Sequence, residues 1–225
     1  MPKIGMQPVR KRQLIDATIA TIHEHSFAEA TIARIARRAG LSPGIIAHYF
    51  GGKDALLAAT MRHLLTELLR DATERLKRAR SPMERVDAVV SANFGPSQFT
   101  NEVIAAWFAF WGQVPHSPEL RRLNDVYMGR TRSNLAHALG MTIDREAADR
   151  IASVAACMID GIWVRAALTE SRPDGAAATA MVMAYIRDAL AEKARVAVMA
   201  RAEGRSRATE TGTSTDEPPM TLAVY

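Results

Sequence analysis

A single cysteine, Cys157, rules out an internal disulfide and a zinc site built on a cysteine cluster. It lies in an apolar helical run, so its thiol is expected to be buried rather than to act as a redox sensor. Aromatic residues make up only 6% of the chain and β-branched runs are scarce, which disfavours a sheet protein. No stretch of about 18 uninterrupted apolar residues occurs. The opening Met1-Pro2-Lys3-Ile4-Gly5 lacks the apolar core of a signal peptide, and a soluble, cytoplasmic protein is the expectation. Enzyme constellations are missing too. There are no paired carboxylates in a catalytic pattern, no Gly-rich phosphate loop after a strand, no His-x-x-x-His helix site and no nucleophile elbow. His23 and His25 are two apart and face different sides of a helix, while His116 and His137 have no evident partners. No catalytic residue, metal ligand or cofactor is assigned.

What is plentiful is alanine, leucine, arginine and methionine, a composition that favours helix throughout. At 225 residues the chain can hold one or two domains with a real core. Its charge is unevenly placed. Residues 1–53 carry eight Lys or Arg (Lys3, Arg10, Lys11, Arg12, Arg34, Arg37, Arg38, Lys53) against three acids (Asp16, Glu24, Glu29), whereas residues 54–225 carry 21 of each sign. The net charge of +5 therefore sits at the front.

Within that front, Thr31 is a good N-cap, and Ile32, Ile35, Ala36 and Ala39 recur at i, i+3, i+4 and i+7. A short helix is predicted, with Arg34, Arg37 and Arg38 off its apolar stripe. Gly40 stands where a positive φ ends a helix, and Leu41 can close the turn. Ser42 as cap and Pro43 as first residue predict a second short helix that stops before Gly51-Gly52. Together these form a helix-turn-helix, whose second helix enters the DNA major groove. An ordinary helical hairpin shares the geometry. The excess positive charge decides for DNA, because a phosphate backbone requires that footprint.

A basic arm, Pro2 to Arg12, either follows phosphates or reaches a minor groove through Arg10, Lys11 and Arg12, or is a solvated helix start. The first helix is predicted from about Pro8 to His25. A long fourth helix from Lys53 to about Arg80, with Leu56, Leu57, Leu64, Leu65, Leu68, Leu69 and Leu76 inside, is expected to link the reader mechanically to the rest. Ser81-Pro82 opens a fifth helix that Gly95-Pro96 ends. Further helices are expected over Asn101 to Val114, Glu119 to Leu139, Ala147 to Leu168, and Ala176 to about Ala202. Glu203 to Tyr225, rich in Thr, Ser, Gly, Pro and acids, is expected to be disordered. The last two helices carry small residues, so they pack within the chain or, in two copies, form a four-helix interface across a two-fold axis.

Taken together, the run Thr31 to Ser42, the segment His48-Tyr49-Phe50-Gly51-Gly52-Lys53 and Leu56-Leu57 strongly resemble the N-terminal domain of TetR-family repressors. A closer resemblance, to the choline-responsive repressors of the glycine betaine pathway within that family, lies in four places: Met1 to Gln7 with Arg10 to Thr18, Gly44 to Phe50, Ala106 to Trp111, and Ile159 to Leu168. The similarity covers residues 1 to about 195 and stops short of the tail. It implies an all-α fold of about nine helices: a three-helix DNA-binding domain over 1–53 with the start of helix 4, a ligand-binding and dimerisation bundle over 54–202, and the tail 203–225. The function implied is a ligand-responsive repressor that binds double-stranded operator DNA as a homodimer through its last two helices, away from any membrane. Choline is the expected effector, and a different cationic or lipophilic compound is the alternative. A non-specific architectural DNA binder has no use for so large a neutral body.

On the DNA side the resemblance turns Pro43, Gly44, Ile45, Ala47 and His48 toward the groove, with the methyl groups of Ile45 or Ala47 available to thymine and His48 to a base edge or phosphate. Thr31, Ser42, Tyr49 and Lys53 resemble phosphate clamps, and Arg10 and Arg34 join them on charge. Choline has no N–H to donate, so its pocket needs aromatic faces and a carboxylate. Trp107, Phe110 and Trp111 share one helical face, Trp163 follows Asp160 by three residues, and Phe94 and Tyr127 are further candidate walls. Such a stripe equally fits a plain core. Asp160, in so apolar a helix, requires a cation or hydrogen-bond donors, or else a pairing with Arg165 or a partner helix.

Overall fold

The computed structural model describes residues 6–169 and 172–211, with side chains as far as residue 200. Nine α-helices and one 3-10 turn are found among them, and no strand. The helices are α1 (Met6–Glu29), α2 (Ile32–Arg38), α3 (Gly44–Phe50), α4 (Lys53–Arg78), α5 (Pro82–Asn93), α6 (Asn101–Gln113), α7 (Pro118–Leu139), α8 (Arg145–Ala167) and α9 (Gly175–Thr211); the turn is Val114–His116. Two compact units part between Ala184 and Tyr185, inside α9. The first holds α1 to α8 and the opening of α9. The second is the remainder of α9, a helix with Val196, Val198 and Met199 exposed.

Local chemistry sets most boundaries. Thr31 Oγ1 accepts from the Arg34 N–H at 3.3 Å and opens α2, and Gly40 closes it at φ +67° while the Leu41 N–H returns to the Ala36 carbonyl at 2.9 Å. At α5 the Ser81 hydroxyl accepts from Glu84 N–H, and the Glu84 carboxylate reaches back to Arg80 N–H. Thr100, Ser117 and Asp144 cap α6, α7 and α8 in the same manner.

Three features differ from expectation. Pro43 is already helical (φ −54°, ψ −36°), and the first turn of α3 has no side-chain cap; it is held by Ile45 N–H to Ser42 O at 3.1 Å. The helical run at the front breaks at Ser26 (φ 66°, ψ 166°), then adds one short turn. At its far end α9 runs on to Thr211, since Arg, Ala and Glu beyond Ala202 are good helix formers that outweigh Gly204. The last part of the expected tail, residues 212–225, lies outside the described residues.

α1, α2 and α3 pack around Leu14, Ile22, Ile35 and Ile46, all at most 3% exposed, and the opening of α4 completes this core with Leu56, Leu57 and Met61. Beyond it α4, α5, α7 and α8 pack in succession, and α6 bridges α8 to α1. That bridge was not foreseen: α6 lies along α1 far more than along α4, so the reader meets the body on two helices. Leu69, expected inside, is exposed on α4, at the open cleft between α4, α5 and α7. Cys157 is also exposed, a correction with a geometric cause: it falls on an outward stripe of α8 together with Val154, Gly161, Val164 and Leu168. Gly175 begins α9 directly against the Phe94 carbonyl, which a Cβ there would meet at 2.2 Å. Asp174 caps the same helix through the Ala177 N–H at 2.9 Å.

Candidate DNA interface and aromatic ligand site

α3 has one inward anchor, Ile46, fully buried, and it fixes which side of the helix faces out. Ser42, Pro43, Gly44, Ala47 and His48 are exposed, while Ile45 and Tyr49 are half-buried. The His48 and Tyr49 rings lie 5.0 Å apart and tilted, so each limits the other's rotation. Gly44 and Ala47 are the small residues on the exposed side of α3, beside the exposed His48 ring.

The flanking cations differ in freedom. Arg37 is exposed at the end of α2. Arg34 pairs with Glu29 at 3.2 Å and also donates to the Glu29 carbonyl at 3.1 Å; Arg38 pairs with Glu24. Arg10 is half-buried near the start of α1, one residue before Lys11, whose ammonium stands 6.0 Å from the Phe50 ring. Thr31 spends its hydroxyl on the α2 cap and remains exposed. Lys53 is turned inward: its ammonium donates to the carbonyls of Phe27 and Ala28 and sits 4.2 Å over the Phe27 ring. The break at Ser26 aims those carbonyls at α4, and nothing in the sequence signals it.

In the body, α6, α7 and α8 bring the aromatic residues together. Trp107 is the hub, with ring centres of Tyr127, Trp111, Phe110 and Trp163 at 4.9, 5.5, 5.6 and 5.8 Å. Phe94 reaches the group through Phe99, which stands 5.2 Å from both Phe94 and Trp163. Phe99 was missed in the sequence because it lies in the loop after Gly95-Pro96, where no helical period marks an inward residue. Against this cluster Asp160 presents the one ionisable carboxyl that reaches Tyr127, and Arg165 is exposed and makes no bond to it. The Tyr127 hydroxyl lies 3.2 Å from Asn93 Oδ1 and 3.4 Å from Asp160 Oδ1. One phenolic proton thus serves two acceptors.

Burial raises the Asp160 carboxyl to about 6, and the Tyr127 hydrogen bond only partly opposes it. Burial first, and Asp160 second, hold the Tyr127 phenol well above its ordinary value. A protonated Asp160 can donate to Tyr127, which then donates to Asn93, and every group in the row is satisfied. An ionised Asp160 calls for positive charge, and no ion pair to it is found among the described residues. Three buried atoms of the cluster and the loop beside it stand unpartnered: Nε1 of Trp107, Nε1 of Trp163 and Oε1 of Gln98. A buried polar atom left unpaired costs about 1–3 kcal/mol. Next to Tyr127 and Asn93, an apolar cleft opens between α4, α5 and α7, lined by Leu65, Leu68, Leu69, Val89 and Val126.

Residues 14–60 match the family described as bacterial regulatory proteins, tetR family, and residues 82–191 match the family described as BetI-type transcriptional repressor, C-terminal. The HTH-type transcriptional regulator BetI of Brucella melitensis biotype 2 is 48% identical over 186 residues, spanning 83% of this chain and 94% of that protein. Among solved structures, a transcriptional regulator of Pseudomonas aeruginosa PAO1 aligns with a TM-score of 0.68 at 26% identity over 80% of this chain and 90% of that one. A transcriptional regulator of Saccharomonospora viridis, solved in complex with choline, shares the fold with a TM-score of 0.68 at 16% identity, covering 80% of this chain and 96% of that one.

Proposed function

The chain belongs to the TetR family of transcriptional repressors and is of the BetI type, and from that premise we propose that it controls choline-to-glycine betaine genes with choline as its effector. The observation that carries this reading is a part-buried carboxyl that no cation among the described residues pairs with, set against a cluster of rings around Trp107. A quaternary ammonium has no N–H and is held by ring faces and one countercharge, which is what Trp107, Trp111, Tyr127, Trp163 and Asp160 supply. The choline complex of the Saccharomonospora viridis regulator is further support for that ligand class.

Operator binding is assigned to Pro43, Gly44, Ile45, Ala47 and His48 for the bases. Arg10, Thr31, Arg34, Ser42, Tyr49 and Lys53 are assigned to phosphates. Residues 1–53 serve as the reading domain and 54–202 as the sensing and assembly domain. Two copies join through α8 and α9. The outward stripe of Val154, Cys157, Gly161, Val164 and Leu168 is apolar and uncovered within one chain, and Met181 on α9 is 58% exposed. Such a face calls for a partner of like character, and a two-fold axis provides it. Ligand at Trp107 and Trp111 moves α6, and α6 lies along α1, so the reading heads change spacing through α1 together with α4.

A larger lipophilic cation is the second reading, favoured by the apolar cleft that abuts Tyr127 and Asn93. The deciding experiment is a fluorescence-anisotropy titration of the full chain on the DNA upstream of its own gene, with and without choline. A choline-dependent change in operator affinity supports the proposal. Equal affinity for operator and scrambled DNA, or a binding curve indifferent to millimolar choline, would overturn it.

A further inference from the structure

Among the described residues five buried side-chain atoms have no hydrogen-bond partner, and they include Nε1 of Trp107 and of Trp163, in one ring cluster, and Oε1 of Gln98, the residue before Phe99 of that cluster. Their residues are 2%, 4% and 2% exposed, so water does not serve them from the surface. The Trp107 and Trp163 rings meet edge to face with centres 5.8 Å apart, and Gln98 precedes Phe99, whose ring meets Trp163 at 5.2 Å. Two are donors that cannot accept, and one is an acceptor that cannot donate. A trimethylammonium group satisfies none of them, since it neither donates nor accepts. A hydroxyl satisfies both kinds at once, because its oxygen accepts while its proton is donated.

We propose that these three groups read a neutral hydroxyl on the bound cation: an indole N–H of Trp107 or Trp163 donates to the hydroxyl oxygen, and Gln98 Oε1 accepts the hydroxyl proton. This rests on the reading of the aromatic cluster as a cation site and adds a second half to it. The rings and Asp160 hold the ammonium, and Gln98 with the indoles sets the ligand class as a small quaternary ammonium alcohol. The same groups discriminate against the corresponding acid. A carboxylate has no proton for Gln98 Oε1 and brings a second negative charge to a site that already holds Asp160.

Calorimetry on the full chain with choline, propyltrimethylammonium and glycine betaine tests this. Propyltrimethylammonium has the shape of choline with a methyl in place of the hydroxyl. Its extra apolar surface makes it the tighter ligand wherever the hydroxyl is not read. The expected result is choline binding at least about tenfold tighter than either analogue. Gln98→Met, which keeps the side-chain volume and lies outside the rings that hold the ammonium, is expected to bring choline down to the propyl analogue and leave the propyl analogue within about twofold. Wild-type affinity for propyltrimethylammonium equal to or above that for choline overturns the proposal, as does glycine betaine binding as tightly as choline. A Gln98→Met protein that loses both cations alike overturns it too. If neither cation binds, the cation-site reading itself fails and takes this one with it. The wild-type comparison needs no variant and decides even where a substitution unfolds the chain.

Discussion

The ammonium of Lys53 stands 4.2 Å from the centre of the Phe27 ring and donates to the carbonyls of Phe27 and Ala28, so the first residue of α4 is tied to the turn that follows the break in α1. The cation that sequence resemblance places on a phosphate is, in the absence of DNA, a clasp between two helices of the reader. Both roles suit a long flexible side chain, since rotation about its stem moves the charge from one carbonyl pair to a neighbouring phosphate oxygen.

Lys53→Ala is accordingly expected to weaken binding to specific and random DNA by similar factors and to lower the salt slope of binding by about one. It should also loosen the packing of α4 on α1. Anisotropy titrations at several salt concentrations, with a thermal melt of the same protein, separate the two effects; an unchanged salt slope would remove Lys53 from the phosphate contacts.

Substitution on the outward side of α3 should act differently. Ala47→Ser or His48→Asn changes what a base edge meets without altering charge, so operator affinity is expected to fall by about 1–3 kcal/mol per lost contact while random-sequence affinity stays. Competition between operator and scrambled duplex reads this directly, and parallel losses on both would contradict the assignment of these residues to bases.

Asp160 links ligand binding to pH. Its carboxyl is raised from 3.8 to about 6, so the folded protein holds the proton more tightly than the unfolded chain does. Stability therefore falls as pH rises from about 4 to about 6, and the penalty is fully present above that range. Asp160→Asn is expected to raise ligand-free stability at neutral pH by about 2 kcal/mol and to give little gain near pH 4. The same substitution should abolish cation binding. In the wild type, cation affinity is expected to weaken toward tenfold per pH unit below about 6, as a proton competes for the carboxylate. Melting curves and calorimetry at about pH 5 and pH 7.5 check both statements.

Gly175→Ala tests the joint between α5 and α9. A methyl group there meets the Phe94 carbonyl oxygen at 2.2 Å, and that neighbour is backbone, so the start of α9 has to shift. The expected loss is about 1–3 kcal/mol, the usual cost of overpacking. Because Phe94 leads through Phe99 to Trp163, choline affinity should fall as well; a melting temperature equal to wild type would show that the joint yields freely.

Val154→Glu combined with Val164→Glu places charge on the outward stripe of α8, where neither residue contributes to the core. Light scattering should then report a monomer with wild-type helical content, and operator affinity should drop on the order of 100-fold as two linked half-site contacts become independent. A persistent dimer would mean that another face joins the copies.

Much of this was legible in the residues themselves. Caps at Thr31 and Ser81, the helix stop at Gly40 and the 3.6-residue apolar period are local devices, so the helices and the reader can be read from a few neighbouring positions. The same holds for the shared face of Trp107, Phe110 and Trp111. Gln98 and Phe99 escaped notice because a loop has no period to mark an inward side chain. Cys157 and Leu69 were placed inside because an apolar run does not say which of its faces has a neighbour.

Helical character, the basic front and the turn chemistry of the reader are thus properties of sequence alone, since each depends on residues within a turn or two of one another. Only the tertiary structure decided that Tyr127 offers one proton to both Asn93 and Asp160, that Lys53 is held by the turn after Ser26, and that α6 lies along α1. Those relationships join residues 25 or more positions apart, and no local rule of spacing or propensity encodes which distant side chains a packed core will bring together.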